Sequence, residues 1–165
     1  MSTAHDMSRY TDKPAFDLHM NTEGVQDLIK YMSTEKVVEG APNVRELEVI
    51  DGMDLARTDI TRHSDPYIAF AELEYKPGSA AQSIPYWKQV VETSRNETGT
   101  LVYGLHKDPV QPDKLYTLEV YESKDYLWDV HAKSDAVAEN VKNTKDLRIG
   151  LKHSFLKYAS GFLHK

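Results

Sequence analysis

The chain has 165 residues, a formal net charge of -6 at pH 7 and no cysteine. The length suits one domain, or one domain with a long extension. Because cysteine is absent, disulfides, thiolate nucleophiles and thiolate metal ligands are excluded, and we expect the reducing environment of the cytoplasm. The acidic balance, without a basic stripe, predicts no nucleic-acid partner. No apolar run approaches the ~20 residues that span a bilayer, so we expect no membrane segment.

The N-terminal part of the chain carries weaker patterns than the rest. We predict that residues 1–14 are disordered or form an arm. Residues 15–66 are predicted to form an N-terminal extension, in which the polar stretch 51–65 serves as a linker or a wrapping arm. The main domain then covers residues 67–165.

Short apolar patterns give the extension a β-α-β-like order. Residues 16–20 alternate as in a strand, residues 25–38 have helical periodicity, and residues 44–50 again indicate a strand. The segment 16–20 also lines up with residues 116–120. The extension is therefore either a degenerate half-repeat of the second half or an unrelated strand and helix, and both interpretations stay open at this point.

The second half of the chain has stronger periodicity. Its predicted elements are a strand over residues 67–75, a helix over 83–97, strands over 100–106 and 115–122, a helix over 123–140 and a last strand over 155–163. The first helix is predicted to start at Ser83, because Pro85 then stands in the first turn, where a missing N–H is tolerated. This β-α-β-β-α-β order is the ferredoxin-like arrangement of the α+β class, an antiparallel sheet with both helices on one face. The uncovered apolar face must meet a ligand or a second subunit.

Four stretches of the second half form an ordered set of motifs: Lys76-Pro77-Gly78, Glu97-Thr98-Gly99, Leu118-Glu119-Val120-Tyr121-Glu122 and Trp128-Asp129-Val130-His131. This set resembles the antibiotic biosynthesis monooxygenase family. With its long N-terminal extension, the chain is similar to fungal members of that family. The resemblance implies a homodimer in which two sheets form a dimeric α+β barrel. It also implies a pocket between the sheet and the helices of each subunit.

The resemblance also implies a reaction. Some members of the family oxidise aromatic polyketide phenols to quinones with molecular oxygen, and they use no metal, flavin or haem. The chain is thus expected to be a cofactor-independent monooxygenase of secondary metabolism that acts on a small aromatic or polyketide-like compound. Two alternatives stay open: a non-catalytic small-molecule-binding or dimerisation module of the same fold, and a haem-binding or haem-degrading protein with His131 as axial ligand.

Oxygenation without a cofactor requires a base, hydrogen-bond donors and a dry aromatic wall around an electron-rich substrate. His131 matches the helix histidine of the family and can accept a proton near neutral pH, so it is the candidate base. Tyr121 is the second candidate catalytic residue, and Tyr103 is a candidate donor to a phenolate oxygen. Trp128 stands three residues before His131 on the predicted helix and is the candidate wall.

Glu119 and His106 complete the candidate substrate-binding residues. They lie on the two strands of the predicted hairpin and form an acid–base pair if both face the same side. Each candidate also has a structural explanation, the histidines as hydrogen-bonded or surface side chains and the aromatic residues as core or interface. No metal site is predicted, because the seven histidines are scattered without ligand spacing.

Overall fold

The computed structural model describes residues 5–35 and 43–159, and the chain divides between Val44 and Arg45 into two compact units. This division lies well before the start of the predicted main domain at residue 67. The first four residues of the predicted arm, 1–4, lie outside the described part.

The N-terminal unit contains two helices, α1 (Lys13–Met20) and α2 (Glu23–Thr34). The strand predicted over residues 16–20 is therefore wrong, and the half-repeat loses the strand on which it rested. The side chain of Asp12 accepts a hydrogen bond from the Ala15 amide at 2.8 Å, and Pro14 stands in the first turn. These two residues start a helix and outweigh a five-residue alternation. The predicted second element is helical as expected, although its predicted end at residues 36–38 lies outside the described part.

The second unit is built on one five-stranded sheet. Its strands are β1 (Glu48–Ala56), β2 (Tyr67–Tyr75), β3 (Thr100–Lys107), β4 (Lys114–Tyr121) and β5 (Arg148–Lys157). The spatial order is β1-β3-β4-β2-β5, and every neighbouring pair is antiparallel. Strands β2 to β5 have the ferredoxin-like order, which confirms the predicted α+β fold. Strand β1 adds a fifth strand at one edge.

The region before β2 belongs to this unit, so the linker predicted over residues 51–65 is wrong. Strand β1 pairs with β3 but shifts register between Val49 and Asp54, and such an irregularity hides the alternation that marks a strand. Met53 is buried in the core. A short 3₁₀ helix, Thr58–Arg62, follows and buries Ile60 completely. This segment is polar in sequence because only a few of its side chains reach the core.

Three helices cover one face of the sheet: α3 (Ala80–Asn96), α4 (Lys124–Asp129) and α5 (Asp135–Thr144). Trp87, Val90 and Val91 of α3 pack against the strands. Helix α3 starts three residues before the predicted Ser83. The chain turns sharply at Gly78, which has a φ of 73°, and enters the helix at once. Pro85 therefore lies inside the helix and not in its first turn, where the proline ring removes one backbone hydrogen bond.

The second predicted helix, over residues 123–140, is broken. Helix α4 ends at Asp129, a 3₁₀ turn covers His131–Lys133, and α5 begins at Asp135. The Ser134 side chain accepts a hydrogen bond from the Val137 amide at 3.4 Å, which caps a new helix. Strand β5 begins at residue 148, earlier than predicted, and the predicted residues 160–163 lie outside the described part.

On the other face of the sheet, no α-helix of this unit lies among the described residues, and an apolar cluster covers part of the strands. Ile60, Ile68, Leu101 and Val120 form a buried cluster there, and half-buried side chains extend it: Val102, Leu118, Leu156 and Tyr158. Within residues 5–35 and 43–159, no helix combines the length and the apolar character needed to cross a membrane.

Candidate active site

A pocket of about 280 Å³ lies between the helix-covered face of the sheet and the broken helix. Its apolar walls include Ala69, Ala71, Trp87, Trp128 and Phe155. Ala69 and Ala71 are small side chains in β2, the strand between β4 and β5, and they leave space where larger side chains would fill the core. The polar residues of the lining are Tyr103, Thr117, Glu119, His131, Asn140, Arg148 and His153.

The break in the helix holds His131 at this pocket. The histidine is 4% exposed, and its Nδ1 lies 2.9 Å from Oε2 of Glu97. The Thr100 hydroxyl donates to the same carboxylate oxygen at 2.6 Å. Burial by itself raises the pKa of Glu97. Hydrogen bonds from His131 and Thr100, together with the charge of His131, lower this pKa by more than burial raises it, so the pKa lies below its usual value. An ionised carboxylate only accepts hydrogen bonds, so Nδ1 carries a proton and Nε2 is the nitrogen left for a ligand.

Gly99 allows Glu97 to reach this position. Helix α3 ends at Asn96, and the chain turns directly into β3. A Cβ atom on Gly99 would come within 2.5 Å of the Tyr126 ring. The Gly99 carbonyl also accepts a hydrogen bond from the Glu122 amide at 2.9 Å. A larger residue would push the turn, and Glu97 with it, away from the histidine.

Two buried tyrosines meet Glu119 beside His131. Tyr121 donates a hydrogen bond to Glu119 Oε2 at 2.8 Å, and Tyr103 stands directly opposite Glu119 in the pairing of β3 with β4. Their rings lie 5.2 Å and 5.3 Å from the imidazole, centroid to centroid. Burial, and next the Glu119 charge, raise the pKa of both tyrosines well above the usual value. Both phenols are therefore neutral, and the phenol of Tyr121 already donates to Glu119.

The second unit, which begins at Arg45, is similar to known proteins. Residues 66–143 match the family model of the antibiotic biosynthesis monooxygenases. The domain belongs to the antibiotic biosynthesis monooxygenase family. No curated protein matches the chain.

Solved structures resemble this family member in fold. A Fusobacterium nucleatum protein, provisionally named a monooxygenase, is 23% identical with a TM-score of 0.71, and the match covers 92% of this chain and 72% of that one. A Lactobacillus acidophilus protein with the same provisional name is 19% identical with a TM-score of 0.70, covering 90% and 67%. A Bacteroides thetaiotaomicron protein, provisionally named an antibiotic biosynthesis monooxygenase, is 19% identical with a TM-score of 0.51, covering 58% and 89%.

Of the residues singled out from the sequence, four line the pocket of this family member: Tyr103, Glu119, Trp128 and His131. Trp128 and His131 do so although the helix between them is broken. The Trp128 ring lies 5.9 Å from that of Phe155. Tyr121 is completely buried and lies outside the pocket lining, so it reaches the pocket through its hydrogen bond to Glu119.

His106 lies on the opposite face of the sheet. It pairs in register with Tyr116, whereas Tyr103 pairs with Glu119. Because side chains alternate along a strand, a residue three positions after Tyr103 points the other way. The acid–base pair considered for His106 and Glu119 therefore does not form, and His106 does not line the pocket.

Sequence reasoning missed several polar residues of the site as functional candidates. Glu97 was visible as the acidic residue before Gly99 in the family motif, but nothing local indicates that it meets His131. Asn140 and Arg148 line the pocket from α5 and β5, and Thr117 lines it from β4. No signal in the sequence distinguishes them from other polar residues. In residues 5–35 and 43–159, no group of three or more histidine, aspartate or glutamate side chains is placed to hold a metal ion.

Proposed function

We propose that this protein is a cofactor-independent monooxygenase that oxidises an aromatic, polyketide-like compound with molecular oxygen. One observation carries the proposal: a buried histidine, backed by an ionised glutamate, opens on a pocket walled by two tryptophans and a phenylalanine. A planar aromatic ligand fits such walls, and the low exposure of the polar groups strengthens their electrostatic effect.

His131 is the proposed base. With Nδ1–H donated to Glu97, Nε2 carries the lone pair that accepts the acidic proton of the substrate. The imidazolium that forms is then stabilised by the Glu97 carboxylate, as in other histidine–carboxylate pairs. Glu97 acts through His131 and is a positioning residue.

The substrate supplies the electrons for the reaction. After it loses a proton to His131, an electron-rich carbon forms a bond to one oxygen atom of O₂. The resulting hydroperoxide breaks its O–O bond, the carbon loses its remaining hydrogen, and a carbonyl group and water are formed. An anthrone and O₂ thus give an anthraquinone and water, and no further reductant is required.

Glu119 and its two tyrosines are proposed to orient the substrate. Tyr121 donates to Glu119, Tyr103 lies opposite it, and together they hold the carboxylate in place, which leaves Glu119 to accept a hydrogen bond from a substrate hydroxyl. Tyr121 is then a positioning residue and not a group that touches the substrate. Trp128 forms one wall of the pocket.

We also propose that the protein is a homodimer joined through the uncovered face of its sheet. The half-buried apolar residues Val102, Leu118 and Leu156 on that face support this. Sedimentation velocity at micromolar concentration tests it: a dimer is expected, and a monomer at every concentration would contradict it.

Oxygen uptake with anthrones and naphthols tests the proposed reaction. The purified protein should accelerate uptake above the uncatalysed rate, and labelled O₂ should place one oxygen atom in the product. Heat-unfolded protein and His131→Gln are the controls. Binding of these compounds without any accelerated uptake would instead favour the non-catalytic binding module.

A further inference from the structure

Asn140 carries a hydrogen-bond donor that none of the described residues uses. Asn140 is 2% exposed. Its Oδ1 accepts hydrogen bonds from Arg148 Nη2 at 2.5 Å and from the Thr144 hydroxyl at 3.3 Å. Because the oxygen must face these two donors, the orientation of the amide is fixed. Its Nδ2 is buried and has no hydrogen-bond partner among the described residues.

Arg148 adds a second unused donor and a positive charge. Its Nε is also buried without a hydrogen-bond partner among the described residues, and no carboxylate in the described part of the chain forms an ion pair with it. The guanidinium lies 5.5 Å from the centroid of the Trp87 ring, and the hydroxyl of Thr144 accepts a hydrogen bond from it at 2.7 Å. These contacts hold the side chain against the pocket wall without neutralising it.

Unused buried donors favour a ligand that supplies an acceptor. A buried donor without a partner is destabilising because it has lost its hydrogen bonds to water, and a charged donor is more so. Asn140 and Arg148 are joined to each other, and both line the same pocket. A negatively charged oxygen would satisfy both groups and the charge together.

This donor pair lies away from His131 along the pocket. Arg148 stands opposite Tyr75 of β2, whereas Glu119, on the His131 side, stands opposite Ala69. Tyr75 and Ala69 are six residues apart in β2, so their Cα atoms lie about 20 Å from each other. The long side chains shorten the gap, so one ligand can contact both ends of the pocket.

We propose that the pocket binds an aromatic compound with an acidic oxygen, such as a carboxylate, at the end opposite His131, and that Arg148 and Asn140 bind this oxygen. The inference rests on the proposed function for the role of His131 and adds the substrate class: an aromatic acid and not a neutral phenol. It also explains why Arg148 is held in the pocket without a carboxylate partner among the described residues.

Binding of a matched pair of naphthalenes under nitrogen tests this. The probes are 6-hydroxy-2-naphthoate, which carries a hydroxyl and a carboxylate at opposite ends, and its methyl ester. Both tryptophans of the chain, Trp87 and Trp128, line the pocket, so their fluorescence reports binding there. The acid is expected to bind the unchanged protein at least about tenfold more tightly than the ester, as expected for a charged hydrogen bond.

Two variants and one control assign the preference to these residues. Arg148→Gln removes the charge, and Asn140→Asp replaces the donor nitrogen with a second acceptor while keeping the oxygen that pairs with Arg148. Both should abolish the preference for the acid. Lys152→Gln removes a positive charge from the same strand, at an exposed side chain that pairs with Glu72, and should keep it.

Each outcome of these binding measurements either supports or overturns the proposal. Equal affinity of the unchanged protein for acid and ester overturns the proposal without any variant, and so does a preference that survives Arg148→Gln in folded protein. If Arg148→Gln fails to fold, the acid–ester comparison and Asn140→Asp still decide. The measurement requires no turnover, so the absence of oxygen uptake would overturn the proposed function and leave this result intact.

Discussion

The two faces of the sheet have opposite characters, although the same strands build both. On the helix-covered face, buried polar side chains surround a pocket: His131 with Glu97, and Glu119 with Tyr103. On the other face, apolar residues such as Ile60 and Val120 form a closed cluster. The broken helix accounts for the difference, because it leaves space above two alanines of β2 instead of filling it with apolar side chains.

We expect the two faces of this domain to separate chemistry from stability. Substitutions in the pocket should change function more than folding, and substitutions on the other face should do the reverse. Tyrosines on the two faces show the contrast in one residue type. Tyr103 lies beside the negative Glu119, whereas Tyr116 lies beside the positive Arg45.

The largest effect is expected for His131→Gln. Glutamine can still donate to Glu97 but cannot accept a proton, so kcat for oxygen uptake should fall by about 10²–10⁴, the usual contribution of a general base. His106→Gln is the matched control, because His106 lies on the opposite face, and its kcat should stay unchanged. Equal losses in both variants would break the contrast between the faces.

The second effect concerns stability. Ile60 is completely buried on the apolar face, so Ile60→Ala should lower the free energy of unfolding by about 2–5 kcal/mol, measured in urea. The kcat of the protein that remains folded should not change. Val110→Ala, at a residue that is 83% exposed, is the control and should cost less than about 0.5 kcal/mol. A large loss of kcat without loss of stability would contradict the assignment.

A smaller effect is expected at alkaline pH. Folding raises the pKa of Tyr103 well above the usual value of 10.0. The contribution of the neutral Tyr103 side chain to the free energy of unfolding is therefore fully present below pH 10 and is lost as pH rises toward the folded pKa. Tyr103→Phe should therefore make the thermal midpoint less sensitive to pH above 10. Burial also raises the pKa of Tyr116, but Arg45 offsets part of it, so Tyr116→Phe should change the slope less. A larger change of slope in Tyr116→Phe than in Tyr103→Phe would contradict the charges that surround the two tyrosines.

The smallest effect is expected at acid pH. The pKa of Glu97 is lowered from its usual value of 4.5. The contribution of the ionised Glu97 side chain to the free energy of unfolding is therefore present above pH 4.5 and is lost as pH falls through the folded pKa. Glu97→Gln cannot titrate, so its thermal midpoint should depend less on pH below 4.5. Glu92→Gln, at an exposed carboxylate of the same helix, serves as the control. An unchanged slope in Glu97→Gln would show that Glu97 has no such role.

Much of the second half could be predicted from local patterns. The β-α-β-β-α-β order follows from strong periodicity and clear turns, and the structure confirms it. The errors have local causes. The alternation over residues 16–20 indicates a strand, but the cap at Asp12 starts a helix there, and the cap at Ser134 divides a segment whose periodicity indicates one continuous helix. The strand predicted over residues 44–50 overlaps only the start of β1, because the irregular pairing of β1 with β3 breaks the alternation further on.

The sequence by itself determined the composition of the site only in part. It marked His131 through a family resemblance, Trp128 through its spacing to His131 and Glu119 through its place on the predicted hairpin, and it excluded thiol chemistry outright. It also determined that the strands alternate, which forces His106 and Tyr103 to opposite faces once the register is known.

Only the tertiary structure decided which polar groups meet. Glu97 and His131 are 34 residues apart in the chain, and Asn140 and Arg148 lie in different elements. Such pairs form where a helix end, a helix break and a strand start meet in space, and no periodicity encodes these meetings. Burial then sets the energetics, because a polar group without water depends on the few partners that packing places beside it.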